Sequence, residues 1–307
     1  MEKLKILIIG GTGFIGSQLV NELNKKGHQI RVLSRNGARK NDCYKQVEYI
    51  EGSVGDKQII SSVINDIDYV YYFATTTNPK QSEKDLISDL SSNLIPIVNV
   101  LYQCVNKGIK KFIFCSSGGT VYGNQNKIPI NEKSLCNPIS SYGLVKLSIE
   151  NYIKYFNHKY NLNYEILRLS NPYGANQFTD GTFGIIPTYI HAILSDKLIS
   201  VYGEGEIVRD YIYIDDFISL NLKLLTTTTK NNIINVGTGI GTSIKELIHK
   251  IEIISGKKAN VQYLPKRNFD VSVNCLEIKK VQKIYNWKPT ISLDEGIKKT
   301  LEQIKSV

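Results

Sequence analysis

The sequence predicts a doubly wound, parallel α/β sheet followed by a smaller α/β domain. Short apolar runs without polar alternation recur through the first half of the chain, as expected for strands that are buried on both faces. Segments with apolar residues at helical spacing lie between them, and this alternation implies right-handed crossovers between parallel strands. The 307 residues, of which 42% are hydrophobic, are enough for two unequal domains.

The first strand is predicted over residues 4–9 and the first helix over residues 14–26, which Gly27 is expected to end. Further strands are predicted over residues 29–33, 47–50, 68–73 and 112–115. Helices are predicted over residues 57–64 and 85–106. A long helix then begins at Tyr142 and is followed by a strand over residues 164–169.

After Pro172 the pattern loosens, and short strands mix with helices near residues 186–194, 217–225, 243–254 and 293–304. We therefore expect one domain over residues 1–172 and a smaller one over residues 173–307, with some later segments returning to the first sheet. A doubly wound sheet binds ligands outside the carboxyl ends of its strands, which directs attention to the hydroxyl-rich segment 114–123, FCSSGGTVYG.

Composition restricts the class of partner. The net charge is +10, but the lysines are spread over many short segments, so a phosphate-bearing small ligand is expected rather than nucleic acid. We expect neither a leader peptide nor a membrane span, because no apolar run approaches about 18 residues. The scattered cysteines, Cys43, Cys104, Cys115, Cys136 and Cys275, favour reduced thiols in the cytoplasm over disulfides. No metal site is predicted.

The glycine-rich segment after the first strand is typical of a dinucleotide-binding loop. Gly10, Gly13 and Gly16 lie between a buried strand and a helix, which is the context that this motif requires. Gly10 permits the tight turn, Gly13 lets a pyrophosphate approach the backbone, and Gly16 lets the helix pack on the strand. The helix N-terminus offers free N–H groups to the phosphates, so the first domain is predicted to be a Rossmann domain.

The end of the second strand indicates which dinucleotide is bound. An acidic residue there would bind the ribose 2′-hydroxyl, but Ser34 and Arg35 stand at this position, with Arg39 and Lys40 close behind. No carboxylate occurs within residues 23–41. Arg35 could pair with a 2′-phosphate or stack on adenine, and we expect NADP in preference to NAD.

Tyr142 and Lys146 share one face of the long helix, because residues at i and i+4 are neighbours. A phenol titrates near pH 10, and a nearby cation is expected to lower that pKa. Tyr142 would then take a proton from a sugar hydroxyl while a nicotinamide takes the hydride. Tyr155 and Lys159 have the same spacing but are expected on the surface, whereas Tyr142 follows the hydroxyl-rich strand end.

Together these motifs resemble the extended short-chain dehydrogenase/reductases that modify nucleotide sugars, particularly the UDP-hexose 4-epimerases. The resemblance covers nearly the whole chain. It rests on collinear segments: GGTGFIG (10–16), FATTT (73–77), SSNL (91–94), SSGGTVYG (116–123), SSYGLVK (140–146), LRLSNPYG (167–174), VRDYIYIDD (208–216), NVGTG (235–239) and KRNFD (266–270). It implies a dinucleotide-binding domain over residues 1–172, a nucleotide-sugar-binding domain over residues 173–307, and a homodimer.

The resemblance also implies a role for individual residues. Tyr142 matches the active-site base and Lys146 its partner on the ribose. The remaining cofactor contacts are expected at Gly10, Thr12, Gly13, Phe14, Ile15, Gly16, Ser34, Arg35, Ser53, Val54, Phe73, Ala74, Thr75 and Asn93. The substrate positions are Ser117, Gly118, Asn171, the diphosphate-binding Arg209 and Arg267, Asp270 near the uridine ribose, and Asn274 beside the C2 substituent of the sugar.

Two further positions depart from the family pattern. Gly118 stands where the family has its catalytic Ser or Thr, so Ser117, Thr120 or a water must replace that hydroxyl, and we favour Ser117. Ser53 stands where an acid usually contacts adenine. Asn274 is intermediate in size and polar, which predicts that N-acetylated or deoxy sugars enter the pocket as well as plain hexoses.

Redox chemistry at C4 of a nucleotide-activated hexose is the expected function. A C4 epimerase, acting through a transient 4-keto intermediate, is favoured over an NADPH-dependent 4-ketoreductase of a 4-keto-6-deoxyhexose, although Arg35 favours the reductase. A dehydratase is disfavoured because Gly119 and Thr120 replace an Asp-Glu pair. The missing hydroxyl at Gly118 permits a catalytically silent NADP-binding sensor, but Tyr142, Lys146 and the two arginines argue against it.

Overall fold

The computed structural model describes residues 3–37, 44, 46–174, 177, 184–267 and 270–306. They form two compact units. The first unit contains the residues up to Ser117 together with residues 140–168 and 220–234. The second contains residues 118–139, 169–219 and those from 235 onwards. The sequence predicted a division after residue 172 with later segments returning to the first sheet; in the structure residues 220–234 lie in the first unit, and the segment 118–139 lies in the second.

Twelve strands are present in the described part of the chain: β1 Lys5–Ile9, β2 Gln29–Ser34, β3 Val47–Glu51, β4 Tyr69–Tyr72, β5 Lys111–Ser117, β6 Tyr164–Leu169, β7 Asn171–Tyr173, β8 Leu198–Tyr202, β9 Val208–Tyr213, β10 Asn232–Val236, β11 Gly241–Ser243 and β12 Asn260–Leu264. Ten helices accompany them: α1 Phe14–Lys25, α2 Lys57–Val63, α3 Pro79–Ser82, α4 Leu86–Asn106, α5 Ser141–Tyr160, α6 Ile185–Leu194, α7 Ile214–Leu224, α8 Ile244–Ser255, α9 Lys279–Tyr285 and α10 Leu293–Lys305. None of these helices is long and apolar enough to cross a membrane.

The main sheet has seven strands in the order β10-β6-β5-β4-β1-β2-β3. The pairs β1–β2, β1–β4, β2–β3 and β4–β5 are all parallel, which confirms the predicted doubly wound fold. The order reverses between β1 and β4, and the carboxyl ends of these two strands form the switch point at which such sheets bind ligands. The first six residues of β5 are buried, as their continuous apolar run predicted.

Helix α5 begins where its sequence provides a cap. The Ser140 side chain accepts a hydrogen bond from the Gly143 backbone N–H at 3.2 Å. Its first turn is also tied to the preceding helices, because the Tyr142 N–H donates to Ser82 Oγ and the Ser141 N–H donates to the Glu83 carboxylate. These contacts fix the rotation of α5 and so the direction of the Tyr142 side chain.

The second unit contains two small sheets, β11-β9-β7 and β12-β8. The buried carboxylate of Asp210, on β9, accepts hydrogen bonds from the Thr238 N–H and hydroxyl, the Gly239 N–H and the Leu276 N–H. This carboxylate therefore holds the NVGTG segment against β9.

Candidate active site

The glycine loop between β1 and α1 has two positions that only glycine can occupy without strain. Gly10 has a φ of +86°, in the left-handed region, and an added Cβ would lie 2.8 Å from the Ala74 backbone nitrogen. A Cβ on Gly16 would overlap the Gly10 carbonyl oxygen. Gly13 caps α1 without a side-chain hydrogen bond, so the first N–H groups of the helix face an anion-binding position.

The remaining loop residues that were expected at the cofactor, Thr12, Phe14 and Ile15, lie in the same turn and are partly exposed. This loop, with its close backbone approach and uncapped helix N-terminus, fits the pyrophosphate of a dinucleotide.

A carboxylate on the neighbouring strand lies beside the end of β2, and the sequence did not predict it. Ser34 donates to the Gly37 carbonyl at 2.8 Å, and Arg35 is exposed beside it. Glu51 of β3 is the register partner of Ser34, and an added Cβ on Gly37 would lie 3.3 Å from its Oε2. The acid beside the end of β2 therefore belongs to the neighbouring strand β3, because no acid occurs within residues 35–41, which directly follow β2. Arg39 and Lys40, like Cys43, lie outside the described residues.

Ser53 and Val54 follow β3. The resemblance implies that Ser53 replaces an acid that usually contacts adenine. The Ser53 hydroxyl accepts a hydrogen bond from the Gly55 N–H at 3.2 Å and so stabilises the local turn. Val54 is partly buried against the core of the first unit. Ser53 is exposed, which leaves it accessible to a ligand.

A small cavity in the first unit unites five of the predicted residues: Ala74, Thr75, Asn93, Tyr142 and Lys146. Tyr72, Asp89, Val145 and Ile149 complete its lining. Asn93 accepts a hydrogen bond from the Thr76 N–H at 2.9 Å, so it orders the segment that begins at Phe73 after β4. Asp89 was not selected from the sequence, where it forms no recognised motif, and its bond with Ser141 depends on how two helices pack.

Tyr142 and Lys146 lie together, but their electrostatics differ from the prediction. Burial raises the pKa of Tyr142, the groups of Cys115 and Asp89 raise it further, and a hydrogen bond with the Thr75 side chain opposes them. Lys146 Nζ lies 5.6 Å from the centre of the Tyr142 ring and donates to the Cys115 carbonyl at 3.0 Å. The prediction of a lowered pKa for Tyr142 is therefore wrong, because burial outweighs the contribution that would lower the pKa.

Lys146 is itself buried, and burial lowers its pKa. The alternative pair is on the surface as expected: Lys159 Nζ donates to Tyr155 Oη at 3.2 Å, and Tyr155 is 46% exposed.

The hydroxyls at the end of β5 have different surroundings. Ser116 donates to the buried Glu150 carboxylate, which also pairs with Arg168 at 2.6 Å. Ser117, the last residue of β5, is partly exposed. In the second unit, Thr120 Oγ1 is buried and has no hydrogen-bond partner within the described residues. Ser116 thus has a structural contact, and Ser117 and Thr120 are the remaining candidates.

The side chain of Asn274 supports the backbone at Gly118. Its Nδ2 donates to the Gly118 carbonyl at 2.8 Å, and the Gly118 N–H donates to the Leu169 carbonyl at 2.8 Å. Asn274 is only 1% exposed, and its Oδ1 is buried without a partner among the described residues. One N–H of the Asn274 amide is therefore engaged by the backbone, and its Oδ1 is an acceptor that a ligand could reach only from within the pocket side of this contact.

The two predicted diphosphate-binding arginines lie in the second unit. Arg209 Nη1 donates to the Val208 and Val271 carbonyls. Burial lowers the pKa of Arg209, and the positive charge of Arg267 lowers it further. Arg267 pairs with Asp270 at 2.7 Å and lies 4.1 Å from the centre of the Tyr202 ring. Residues 268 and 269 of the KRNFD segment lie outside the described residues.

Asn171 and a tyrosine that the sequence did not single out lie near Arg209. Asn171 Nδ2 donates to the Asp210 carbonyl at 3.1 Å. Tyr211 is on the same strand as Arg209, two residues on, and so on the same face. Its hydroxyl is buried and has no hydrogen-bond partner in the described part of the chain. Alternation along β9 is the signal that could have identified it.

The parallel sheet, the glycine loop and the Tyr–Lys pair define a dinucleotide-dependent enzyme of the short-chain dehydrogenase/reductase type. A model of the NAD dependent epimerase/dehydratase family matches residues 6–237. The chain belongs to this family, and the predicted resemblance is confirmed.

Three relatives illustrate the range of similar proteins. A solved UDP-glucose 4-epimerase of Thermotoga maritima with UDP-glucose is 32% identical, covers 99% of both chains and has a TM-score of 0.94. A dTDP-4-dehydro-6-deoxyglucose reductase of Escherichia coli is 34% identical over 98% of this chain and 97% of its own. A solved UDP-N-acetylglucosamine 4-epimerase of Methanobrevibacter ruminantium, with UDP-N-acetylmuramic acid, is 27% identical, covers 100% and 99%, and has a TM-score of 0.92.

Gly16→Ala should abolish stabilisation by the cofactor. The added Cβ meets the Gly10 carbonyl and must displace the loop. We expect at least about a hundredfold loss of dinucleotide affinity, seen as a lost ligand-induced increase in Tm. Gly55→Ala is the matched control, since its Cβ makes only a 3.6 Å contact with Ser53 Oγ. Equal ligand-induced increases in both variants would contradict this role for the loop.

Proposed function

We propose that the protein is a C4 epimerase of a nucleotide-diphosphate hexose and acts through a transient 4-keto intermediate. The observation that supports this most is the cavity that unites Tyr142, Lys146, Asn93 and the segment after β4. Bound NAD(P) supplies the hydride acceptor and donor. Tyr142 exchanges the proton of the sugar O4, and the buried Lys146 contributes positive charge beside it.

The second unit provides the groups for the nucleotide sugar. Arg209 and Arg267 suit a diphosphate, because a planar guanidinium donates to two phosphate oxygens at once. Asp270 orients Arg267 through their ion pair. The hydroxyl of Tyr211, for which the described residues provide no hydrogen-bond partner, supplies a further donor beside Arg209.

The NADPH-dependent 4-ketoreductase is the second candidate. Burial raises the pKa of Tyr142 and so favours its protonated phenol, which is the form that donates a proton to a keto oxygen. The E. coli relative is named for this reaction. Purified protein, without added cofactor, should convert UDP-glucose, UDP-galactose or an N-acetylated counterpart if it is an epimerase. Turnover only of a 4-keto-6-deoxy nucleotide sugar, with consumption of added NADPH, would identify the reductase instead.

Tyr142→Phe should lower kcat at least about a hundredfold with little change in KM, because it removes the proton-transfer hydroxyl. Circular dichroism and Tm should stay close to those of the unaltered protein. Tyr155→Phe, on the exposed face of the same helix, is the matched control and should keep full turnover. Near-normal turnover in Tyr142→Phe would eliminate this mechanism.

Ser117 is our choice for the hydroxyl that replaces the one missing at Gly118. Ser117→Ala should then lower kcat about tenfold or more through loss of one transition-state hydrogen bond, whereas Thr120→Val should not. Both changes remove one hydroxyl and little volume. Steady-state kinetics on the best substrate compares them, and the opposite order of effects would assign the role to Thr120.

For the cofactor we propose a preference for NADP, because Arg35 is exposed at the end of β2 where a 2′-phosphate would lie. Glu51 is the group that opposes this preference. Arg35→Asp should shift the ratio of NADPH to NADH affinity at least about tenfold toward NADH, measured by titration. Glu51→Gln should shift it in the other direction. The assignment would be refuted if the unaltered protein bound NADPH and NADH equally tightly and neither variant changed that ratio.

Asn274 is proposed to border the C2 substituent with its buried acceptor Oδ1. An acetamido N–H or a hydroxyl at C2 would supply the donor that this atom lacks. Asn274→Tyr should lower kcat/KM for an N-acetylated substrate selectively, through a clash, and change the plain hexose little. Asn274→Ser, which is smaller, is the control and should accept both. Equal losses on both sugars in the Tyr variant would remove Asn274 from the pocket.

A homodimer is also proposed. Helices α4 and α5 expose apolar side chains on the first unit, at Leu86, Ile87, Leu90, Ile95, Tyr102, Leu144, Tyr152 and Tyr155. Such exposed apolar surface is typical of an interface. Light scattering should give twice the chain mass for the unaltered protein, and the Ile87→Asp variant should have a lower mass. A monomer of the unaltered protein at micromolar concentration would contradict the proposal.

A further inference from the structure

Asp89 is a fully buried carboxylate in the lining of the cavity that contains Tyr142 and Lys146. It lies in the first turn of α4, one turn after the exposed N-cap Asp85. Burial of a charge is costly unless the surroundings compensate it, so such a group usually has a partner of opposite charge.

The hydrogen-bond partners of Asp89 are all uncharged. Oδ1 accepts from the Thr77 hydroxyl and from Asn93 Nδ2 at 3.0 Å, and Oδ2 accepts from the Ser141 hydroxyl at 2.7 Å. Within the described residues, no lysine, arginine or histidine forms an ion pair with Asp89. Its negative charge is therefore satisfied by hydrogen bonds but not neutralised by a direct partner.

This charge acts on the groups inside the cavity. The carboxylate of Asp89 contributes to raising the pKa of Tyr142, and it opposes the effect of burial on the pKa of Lys146. The other ionisable groups that face the pair are Cys115 on β5 and, for Lys146, Glu150 on α5. The ammonium of Lys146 is directed at the Cys115 carbonyl.

We propose that Asp89 makes this cavity favour the oxidised, positively charged nicotinamide over the reduced, neutral one. A buried carboxylate attracts a cationic ring that lies against this small cavity and acts much less on a neutral ring. The inference rests on the proposed function and places the nicotinamide at this cavity, next to Tyr142 and Lys146. It also bears on the reaction, because an epimerase begins each turnover with oxidised cofactor and a reductase begins with reduced cofactor.

Titration calorimetry of cofactor-free protein with NAD⁺ and NADH, and with NADP⁺ and NADPH, tests this role without any substrate. Asp89→Asn removes the charge and keeps the size of the side chain. We expect the ratio of oxidised to reduced affinity to fall about tenfold, as for a charge about 10 Å away at an effective dielectric constant near 20. Asp85→Asn, on the same helix but exposed, is the control and should leave the ratio unchanged because solvent screens it.

Three results would overturn the proposal: an unchanged ratio in Asp89→Asn, an equal loss for both forms, or tighter binding of the reduced form by the unaltered protein. The third result can be obtained from the unaltered protein alone, even if no variant folds. Asp89→Ser provides a second neutral variant. Binding of both forms with an unchanged ratio removes only the role of Asp89. If the unaltered protein binds no nicotinamide dinucleotide, the proposed function fails as well.

Discussion

The burial of Lys146 and the partial burial of Tyr142, on one face of the first two turns of α5, is the constraint on which the rest of the site depends. Exclusion of water around Tyr142 and Lys146 raises the pKa of the phenol and lowers that of the ammonium. The turn cannot rotate away, because Ser82, Glu83 and Asp89 hold the N–H and hydroxyl groups at its start. The proton-transfer group is therefore held in place before any ligand arrives.

The substitution at Gly118 has a structural counterpart in Asn274. Where the family has a hydroxyl side chain, this chain has a backbone carbonyl that accepts a hydrogen bond from the Asn274 amide. The two residues are 156 positions apart in sequence, and a change at either one alters the surroundings of the other.

Much of the fold could be predicted because burial on both faces gives continuous apolar runs, as in β1 and β5. The glycine loop was equally clear, since close backbone contact leaves no room for a Cβ at Gly16. Asp89 and Glu51 could not be found, because one depends on helix packing and the other on strand register. The pKa of Tyr142 was predicted in the wrong direction because spacing shows that Lys146 is near but does not show how deeply both are buried.

The central claim is that a hydride leaves C4 of the sugar and returns to the same carbon. A nucleotide hexose with deuterium at C4, incubated with the purified protein without added cofactor, tests it most directly. The account predicts that mass spectrometry and NMR find the C4 epimer with its deuterium retained at C4, because the hydride never leaves the protein. Epimer that has lost its deuterium, or no epimer from any nucleotide hexose while added NADPH reduces a 4-keto sugar, would contradict it.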